Sequence, residues 1–306
     1  WGFRGFGMSW ALMGKGGVAT SFGSRYLVVK ASYDLYNIYR ALVEYNSTFH
    51  DAWGSAQVSN VFGTLKNSNA TWDVVGSSVS FTSLKLDAEN PGTLNTILGP
   101  APAGFDVSES DFPRTTYYMN VDHWDGFPLT KATYLGDPSG VLAGNGFSSF
   151  QSSNVVLISG DIHASFVTDH GNTDNNRCIE FTVPAVSSGT LGTFTGDSIA
   201  SILSLDPDNN AGHAFVVNTL KSQLPTYFRE AESGIQYADT SRHGVAIMTL
   251  TSTQLSTTFY YLDTNTDSTL RTTSSYNLSP SDLPWETTTY TSTKTDGKNG
   301  ALTSPV

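Results

Sequence analysis

Short runs of apolar residues recur along the chain, separated by segments rich in Gly, Pro, Asn and Ser. The run at 155–158 (VVLI) is continuous rather than alternating, which is typical of a strand buried on both faces of a sheet. Ser55 can cap a helix that continues to about Lys66. Strands and helices that alternate in this way predict an α/β fold with mixed sheets.

The pattern changes toward the carboxyl terminus. Two apolar runs at 245–250 and 255–262 predict a β-hairpin. After Asn277 the chain consists mainly of Thr, Ser, Pro, Lys and Asp, which predicts an extended or disordered arm. We therefore expect one domain at 1–276 and a Ser/Thr-rich arm at 277–306. The other predicted elements are strands at 1–15, 26–30, 72–75, 79–86 and 178–183 and helices at 32–46, 129–143, 195–204 and 212–224.

The most specific chemical feature follows the apolar run at 155–158. Gly160 permits a sharp turn, and Asp161 and His163 come directly after it. Binding sites of open α/β sheets lie at the carboxyl ends of strands, so this Asp-x-His pair is a candidate for two metal ions of different character. The alternative interpretation is an exposed loop whose polar residues only end a strand.

Several segments together resemble a known family. SGDIHASF at 159–166 resembles the last metal-ligand motif of the PhoD-like alkaline phosphatases, a branch of the calcineurin-like metallophosphoesterases. NVDHWDGFP at 120–128 resembles the family's D-x-W-D-G-Y-P segment. The family also has counterparts of the segments at 56–87, 178–189 and 237–250. All five segments occur in the same order as in the family, so the resemblance covers roughly residues 50–263.

The resemblance implies a fold, a reaction and metal ligands. It implies a partial metallophosphoesterase-like β-sandwich flanked by helices, and hydrolysis of phosphate mono- or diesters by a water that two metal ions activate. His163 resembles the ligand of a trivalent iron ion (Fe³⁺), and Asp161 resembles the carboxylate of a calcium ion.

The resemblance is incomplete. The family's other ligands lie on an earlier Asp or Cys, a Gly-Asp-x-x-Tyr motif and an Asn- or Asp-His pair, and none of these precedes Asp161. We therefore expect the carboxyl-terminal half of such an enzyme, inactive or only weakly active by itself. Its partners would be a phosphate ester substrate and its own amino-terminal half or neighbouring subunits.

Two further residues are candidates for catalysis. Asp125 resembles part of a loop that lies over the family's site, where it would position a metal-bound water or a ligand. An Asp before Gly is also a common turn carboxylate. His243 precedes Gly244 at the start of a predicted strand and would line the rim of the site, although a strand-end histidine can simply face solvent.

Composition narrows the functional class. The chain has 16 Lys plus Arg against 27 Asp plus Glu, a formal net charge of −11. So acidic a surface repels a nucleic-acid backbone, and nucleic-acid binding is not expected. No apolar run approaches the roughly 20 residues of a membrane-spanning helix. Few basic residues with abundant Ser, Thr and Gly favour a secreted or extracytoplasmic protein, periplasmic or at the cell surface, with N-glycosylation sequons at Asn46, Asn69 and Asn277.

A function of another class is also open. The sequons, the Ser/Thr-rich arm and the incomplete ligand set are compatible with a non-catalytic extracellular structural protein that assembles into a filament or surface layer. A carbohydrate-binding module is a third candidate, since 12% of the residues are aromatic. Bound iron and calcium with phosphodiester hydrolysis would favour the enzyme, and a metal-free protein that polymerises would favour assembly.

Overall fold

The computed structural model describes residues 27–30, 33–34, 53–87, 89, 116–136, 150, 155–171, 178–202, 205–206, 208, 211–262, 285–295 and 298–304. Their strands form three sheets, and helices pack beside them. The predicted α/β class with mixed sheets is therefore confirmed. The strand predicted at 1–15 and most of the helix predicted at 32–46 lie outside the described residues.

A mixed sheet of five strands carries the candidate site. Its order is β2-β5-β7-β6-β8, with β2, β5 and β7 parallel and β6 and β8 antiparallel to their neighbours. The residues of β5 are almost all buried, as the continuous apolar run predicts. The strands are β2 (Asp73–Gly76), β5 (Val155–Ser159), β6 (Ser165–Asp169), β7 (Ile179–Thr182) and β8 (Ile235–Asp239).

A second, antiparallel sheet has the order β12-β11-β10-β9. The predicted hairpin is present as β9 (Gly244–Leu250) and β10 (Gln254–Leu262). Strands β11 (Trp285–Thr293) and β12 (Leu302–Thr303) complete it. Apolar residues of both sheets meet in one buried cluster, which makes the two sheets a sandwich.

Part of the segment predicted as an arm belongs to this sheet. Residues 285–293 are extended and pair with β10 along its whole length. Threonine is β-branched and favours strands, and Tyr290 is buried in the cluster between the sheets. The boundary at 276/277 stays a prediction, although strand β11 from beyond it shares a sheet with β10.

Helices and a small third sheet cover the other face of the five-stranded sheet. The small sheet has the order β1-β4-β3, from β1 (Leu27–Val29), β4 (Thr116–Met119) and β3 (Lys85–Asp87). Residues 79–84 were predicted as part of a strand but have an irregular backbone. The N–H groups of Phe81 and Leu84 donate to buried carboxylates, those of Glu180 and Asp125, and not to a neighbouring strand. The helices are α1 (Ser55–Lys66), α2 (Pro128–Leu135), α3 (Leu191–Ile202) and α4 (Ala211–Ala231).

Helix length also bears on the membrane prediction. Among the residues described above, none of the helices combines the length and the apolar character that a membrane crossing requires.

Candidate functional site

The loop between β5 and β6 holds the predicted Asp-x-His pair. Ile162 is buried in the core under the helices and anchors the middle of this loop. Asp161 and His163 flank it, and both line one cavity at the carboxyl end of β5. The structure thus brings the two predicted metal ligands to a common space, as expected for a site at this edge of a parallel sheet.

The cavity has a volume of about 450 Å³ and draws on three parts of the chain. One wall is the β5–β6 loop, and another is the end of β4 with Asn120. The third wall is Gly189 and the first turns of α3. The lining residues from α3 are Leu191, Thr193, Phe194, Thr195, Asp197, Ser198 and Ile199.

Backbone strain is concentrated at this cavity. Asn120, Asp161 and His163 are the non-glycine residues with positive φ in the described part of the chain, at 54°, 72° and 56°. All three line the cavity. Such a conformation costs about 1–3 kcal/mol per residue and persists at binding and catalytic sites, where function depends on it. The clustering makes this cavity the candidate functional site.

A hydrogen bond fixes the ring of His163. Its Nδ1 lies 2.7 Å from the backbone oxygen of Gly189. A carbonyl oxygen can only accept, so Nδ1 carries the proton and donates. The lone pair of the neutral ring is then on Nε2, the arrangement typical of a metal-ligating histidine whose other nitrogen is held by a carbonyl.

His243 contacts the segment that contains Gly189, at the preceding residue, Ser188. Its Nε2 lies 2.7 Å from the backbone oxygen of Ser188 and donates to it. The next residue, Gly244, donates its N–H to the backbone oxygen of Ala185. His243 thus holds the loop that in turn orients His163, but it is not among the residues that line the cavity. Its predicted catalytic role stays a prediction.

Asp125 lies elsewhere, beside a second cavity of about 580 Å³. Its carboxylate accepts from Lys131 Nζ at 2.6 Å and from Ser83 Oγ at 2.8 Å. Burial alone raises the pKa of Asp125, but the charges of Lys131 and His123 and the hydrogen bonds from Lys131 and Ser83 together hold the pKa below its usual value. Its ion pair fastens the 124–126 turn to α2, and a direct catalytic role stays a prediction.

Gly126 explains why this turn needs a glycine. A Cβ at that position would lie 2.2 Å from the backbone oxygen of Val121, a distance that no side chain can occupy. The glycine of the Asp-Gly pair is therefore a packing requirement of the turn.

Sequence reasoning missed two polar residues of the site. Asn120 and Thr195 are buried and line the cavity, and Asn120 Oδ1 and Thr195 Oγ1 have no hydrogen-bond partner among the described residues. Asn120 is the first residue of the NVDHWDGFP segment, and that segment was the available signal. The strand that ends just before it, β4, was not among the predicted strands. Thr195 could not be recognised from the sequence, because it is a threonine within a helix and lines the cavity only through the packing of that helix.

The donors fit part of a metal centre. Asp161 and Asn120 offer hard oxygens, and His163 Nε2 offers an imidazole nitrogen. Among the residues that the structure describes, no group of three or more His, Cys, Asp and Glu side chains stands close enough to hold a metal ion. The described cavity thus supplies a partial ligand set.

The predicted glycosylation sites can be placed in one case. Asn69 is exposed between α1 and β2. Asn46 and Asn277 lie outside the described residues, and glycosylation at all three stays a prediction.

Comparison with known proteins agrees with the motifs. No curated protein and no solved structure matches the chain at a significant level. A family model described as PhoD-like phosphatase matches residues 35–259, more than half of the 306 residues. This match includes the β5–β6 loop, Asn120 and α3, and the chain belongs to the PhoD-like phosphatase family.

Proposed function

We propose that this chain is part of a metal-dependent phosphoesterase that hydrolyses phosphate mono- or diesters at the cavity beside β5. The observation that carries the proposal is the convergence of three strained polar residues, Asn120, Asp161 and His163, on one cavity. Because the chain belongs to a phosphatase family, we infer that the reaction at this cavity is phosphate ester hydrolysis.

Each residue has a definite task in this proposal. His163, held through Nδ1, presents Nε2 to an iron-type ion, and Asp161 presents a carboxylate to a calcium-type ion. When bound, the metal ions supply Lewis acid chemistry and lower the pKa of a water. The formal charge of −11 would otherwise repel a phosphorylated substrate, so binding of cations at this cavity also admits the substrate.

The remaining ligands come from outside the described cavity. One carboxylate and one imidazole cannot complete the shells of two ions, each of which needs several more donors. We infer that another region of the polypeptide or a neighbouring subunit supplies them. Hydrolysis by this chain alone is then slow.

Metal content and hydrolysis, measured on the same preparation, test the proposal. We expect iron or calcium to remain bound through purification without chelators. We also expect hydrolysis of bis(p-nitrophenyl) phosphate, however slow, to disappear with chelator and to return when iron and calcium are restored. Hydrolysis that resists chelation, or a chain that takes up neither metal, would contradict the proposal.

A second candidate, assembly from identical copies, is favoured by strand β9. Among the described strands β9 pairs only with β10, and none of them pairs with its other edge. Val245 and Ile247 are 44% and 56% exposed, and GVAIMTL contains neither a charged residue nor a proline to block pairing. Antiparallel pairing about Ile247 would join two copies through one continuous sheet.

Ile247→Lys tests this candidate, because it puts a like charge against its own copy at the centre of the pairing. If β9 joins two copies, sedimentation should show dimers in the wild-type chain that the variant loses. Thr303→Lys, on the opposite edge strand β12, is the matched control and should leave the dimer intact. A wild-type chain that stays monomeric at every concentration would rule out this assembly.

A further inference from the structure

Asn120 combines two features at the end of β4. Its backbone is left-handed, with φ of 54°. The residue is only 9% exposed, yet Oδ1 has no hydrogen-bond partner in the part of the chain that the structure describes. Buried amide oxygens are nearly always bonded, so an unpaired one calls for a reason.

The backbone does not supply that reason. Asparagine tolerates a left-handed conformation mainly because its side chain can bond to nearby backbone groups, and Asn120 Oδ1 makes no such bond. Glycine would adopt the same φ more easily and would leave no buried amide unpaired. The amide is therefore unfavourable for the fold as it stands.

The surroundings of Asn120 indicate the kind of ligand it fits. Asp161 and Thr195 line the same cavity, and Thr195 Oγ1 is a second buried oxygen without a partner. The first backbone N–H groups of α3 do not serve an anion, because Leu191 N–H and Gly192 N–H already donate to the backbone oxygens of His163 and Thr240. Beside the imidazole nitrogen of His163, the available groups are thus carboxylate, amide and hydroxyl oxygens, which suit a hard cation.

We propose that the side-chain oxygen of Asn120 is a ligand of a hard divalent cation of the calcium type, bound in this cavity together with Asp161. The inference rests on the proposed function and extends it, because it assigns a ligand from a different strand and sheet. The unpaired amide and the strained backbone then have one cause, a bound cation that accepts the lone pair.

Asn120→Gly tests the assignment by calorimetric titration with Ca²⁺ and by thermal unfolding without metal. We expect the calcium affinity to fall at least about tenfold, as for other groups that support a metal site. The melting temperature of the metal-free variant should be unchanged or raised, because glycine relieves the strained φ and removes the unpaired amide. Asn120→Asp, which keeps an oxygen at the same place, should retain calcium binding.

Asn299 is a matched control. It is also buried, but its amide donates to the backbone oxygen of Val155 and accepts from Lys294 Nζ, at the opposite end of β5 from the cavity. Asn299→Ala should lower the melting temperature and leave the calcium affinity unchanged.

The possible results distinguish a failure of the Asn120 assignment from a failure of the proposed phosphoesterase function. An Asn120→Gly variant that binds Ca²⁺ as well as the wild type, or that unfolds at a clearly lower temperature, overturns the role of Asn120 and leaves the proposed phosphoesterase standing. A wild-type chain that binds no Ca²⁺ overturns the role of Asn120 and the calcium site together, while the iron site is judged by the iron content of the same protein.

Discussion

Replacing Glu180 with alanine is expected to lower the free energy of unfolding by about 3–5 kcal/mol, the range for breaking a buried charged network. Glu180 lies on β7 and is fully buried. Its carboxylate accepts hydrogen bonds from the Phe81 N–H at 2.9 Å and from His170 Nε2 at 2.7 Å. Three hydroxyl groups also donate to it, those of Ser80, Thr82 and Ser159.

Alanine would remove the acceptor of the Phe81 N–H and of His170 Nε2, and a buried donor that loses its acceptor lowers stability. The Ser80 and Ser159 hydroxyls would keep their contacts with Thr182 Oγ1, and the Thr82 hydroxyl its contact with Thr168 Oγ1. The network also ties the irregular 79–84 segment to the central sheet, so the loss should extend beyond β7. Urea denaturation at neutral pH measures the effect. A loss of less than about 1 kcal/mol would mean that water or rearrangement replaces the carboxylate, contrary to this account.

Acid should weaken the same network. Burial alone raises the pKa of Glu180, but the hydrogen bond and charge of His170, with the Ser159 hydroxyl and the Phe81 N–H, hold it at about 2, below the ordinary 4.5. A carboxyl with a depressed pKa stabilises the fold above its unfolded pKa. That contribution, on the order of 3 kcal/mol, is lost as the pH falls from about 4.5 toward 2. Glu180→Gln, which cannot ionise, should lack this part of the pH dependence.

The second large effect is expected at His163. His163→Ala should reduce bound iron to background and slow phosphodiester hydrolysis on the order of a thousandfold, because a metal ion provides several kcal/mol of transition-state stabilisation. Iron analysis of the purified variant measures the loss of the metal ligand even if the wild-type chain hydrolyses the phosphodiester slowly. Stability should change little, since among the described residues the ring makes one hydrogen bond, to Gly189, and alanine removes it.

His213→Ala is the matched control for this variant. His213 lies on α4, is largely buried, and is 3.6 Å from the carboxylate of Asp197 without lining the cavity. Its removal should leave iron content and hydrolysis within about twofold of the wild type, as expected for a partly exposed pair. Iron that stays bound in His163→Ala would show that the ion is held elsewhere.

The central elements were predictable because their signals are local. The continuous apolar run of β5 and the hairpin of β9 and β10 are both present where the pattern indicates. The Asp161-x-His163 loop was also predictable, since a strand end followed by glycine and ligand-type residues can be recognised without tertiary information.

The other parts of the site depend on packing between distant segments. Asn120 becomes a cavity residue only because the small sheet brings the end of β4 against α3, and Thr195 is an ordinary helical threonine in sequence. Residues 79–84 have a strand-like pattern, but the carboxylate of Glu180, on β7, captures their backbone and hydroxyl groups. Strand β11 was not predicted, because its threonine-rich composition resembles that of disordered segments.

Anomalous X-ray diffraction at the iron edge, from crystals of the chain grown with iron, would show whether the cavity beside β5 holds metal ions through Asp161 and His163. We expect a peak at coordination distance, roughly 2 Å, from His163 Nε2. No peak in this cavity under saturating iron, or a peak bound by other residues, would contradict it.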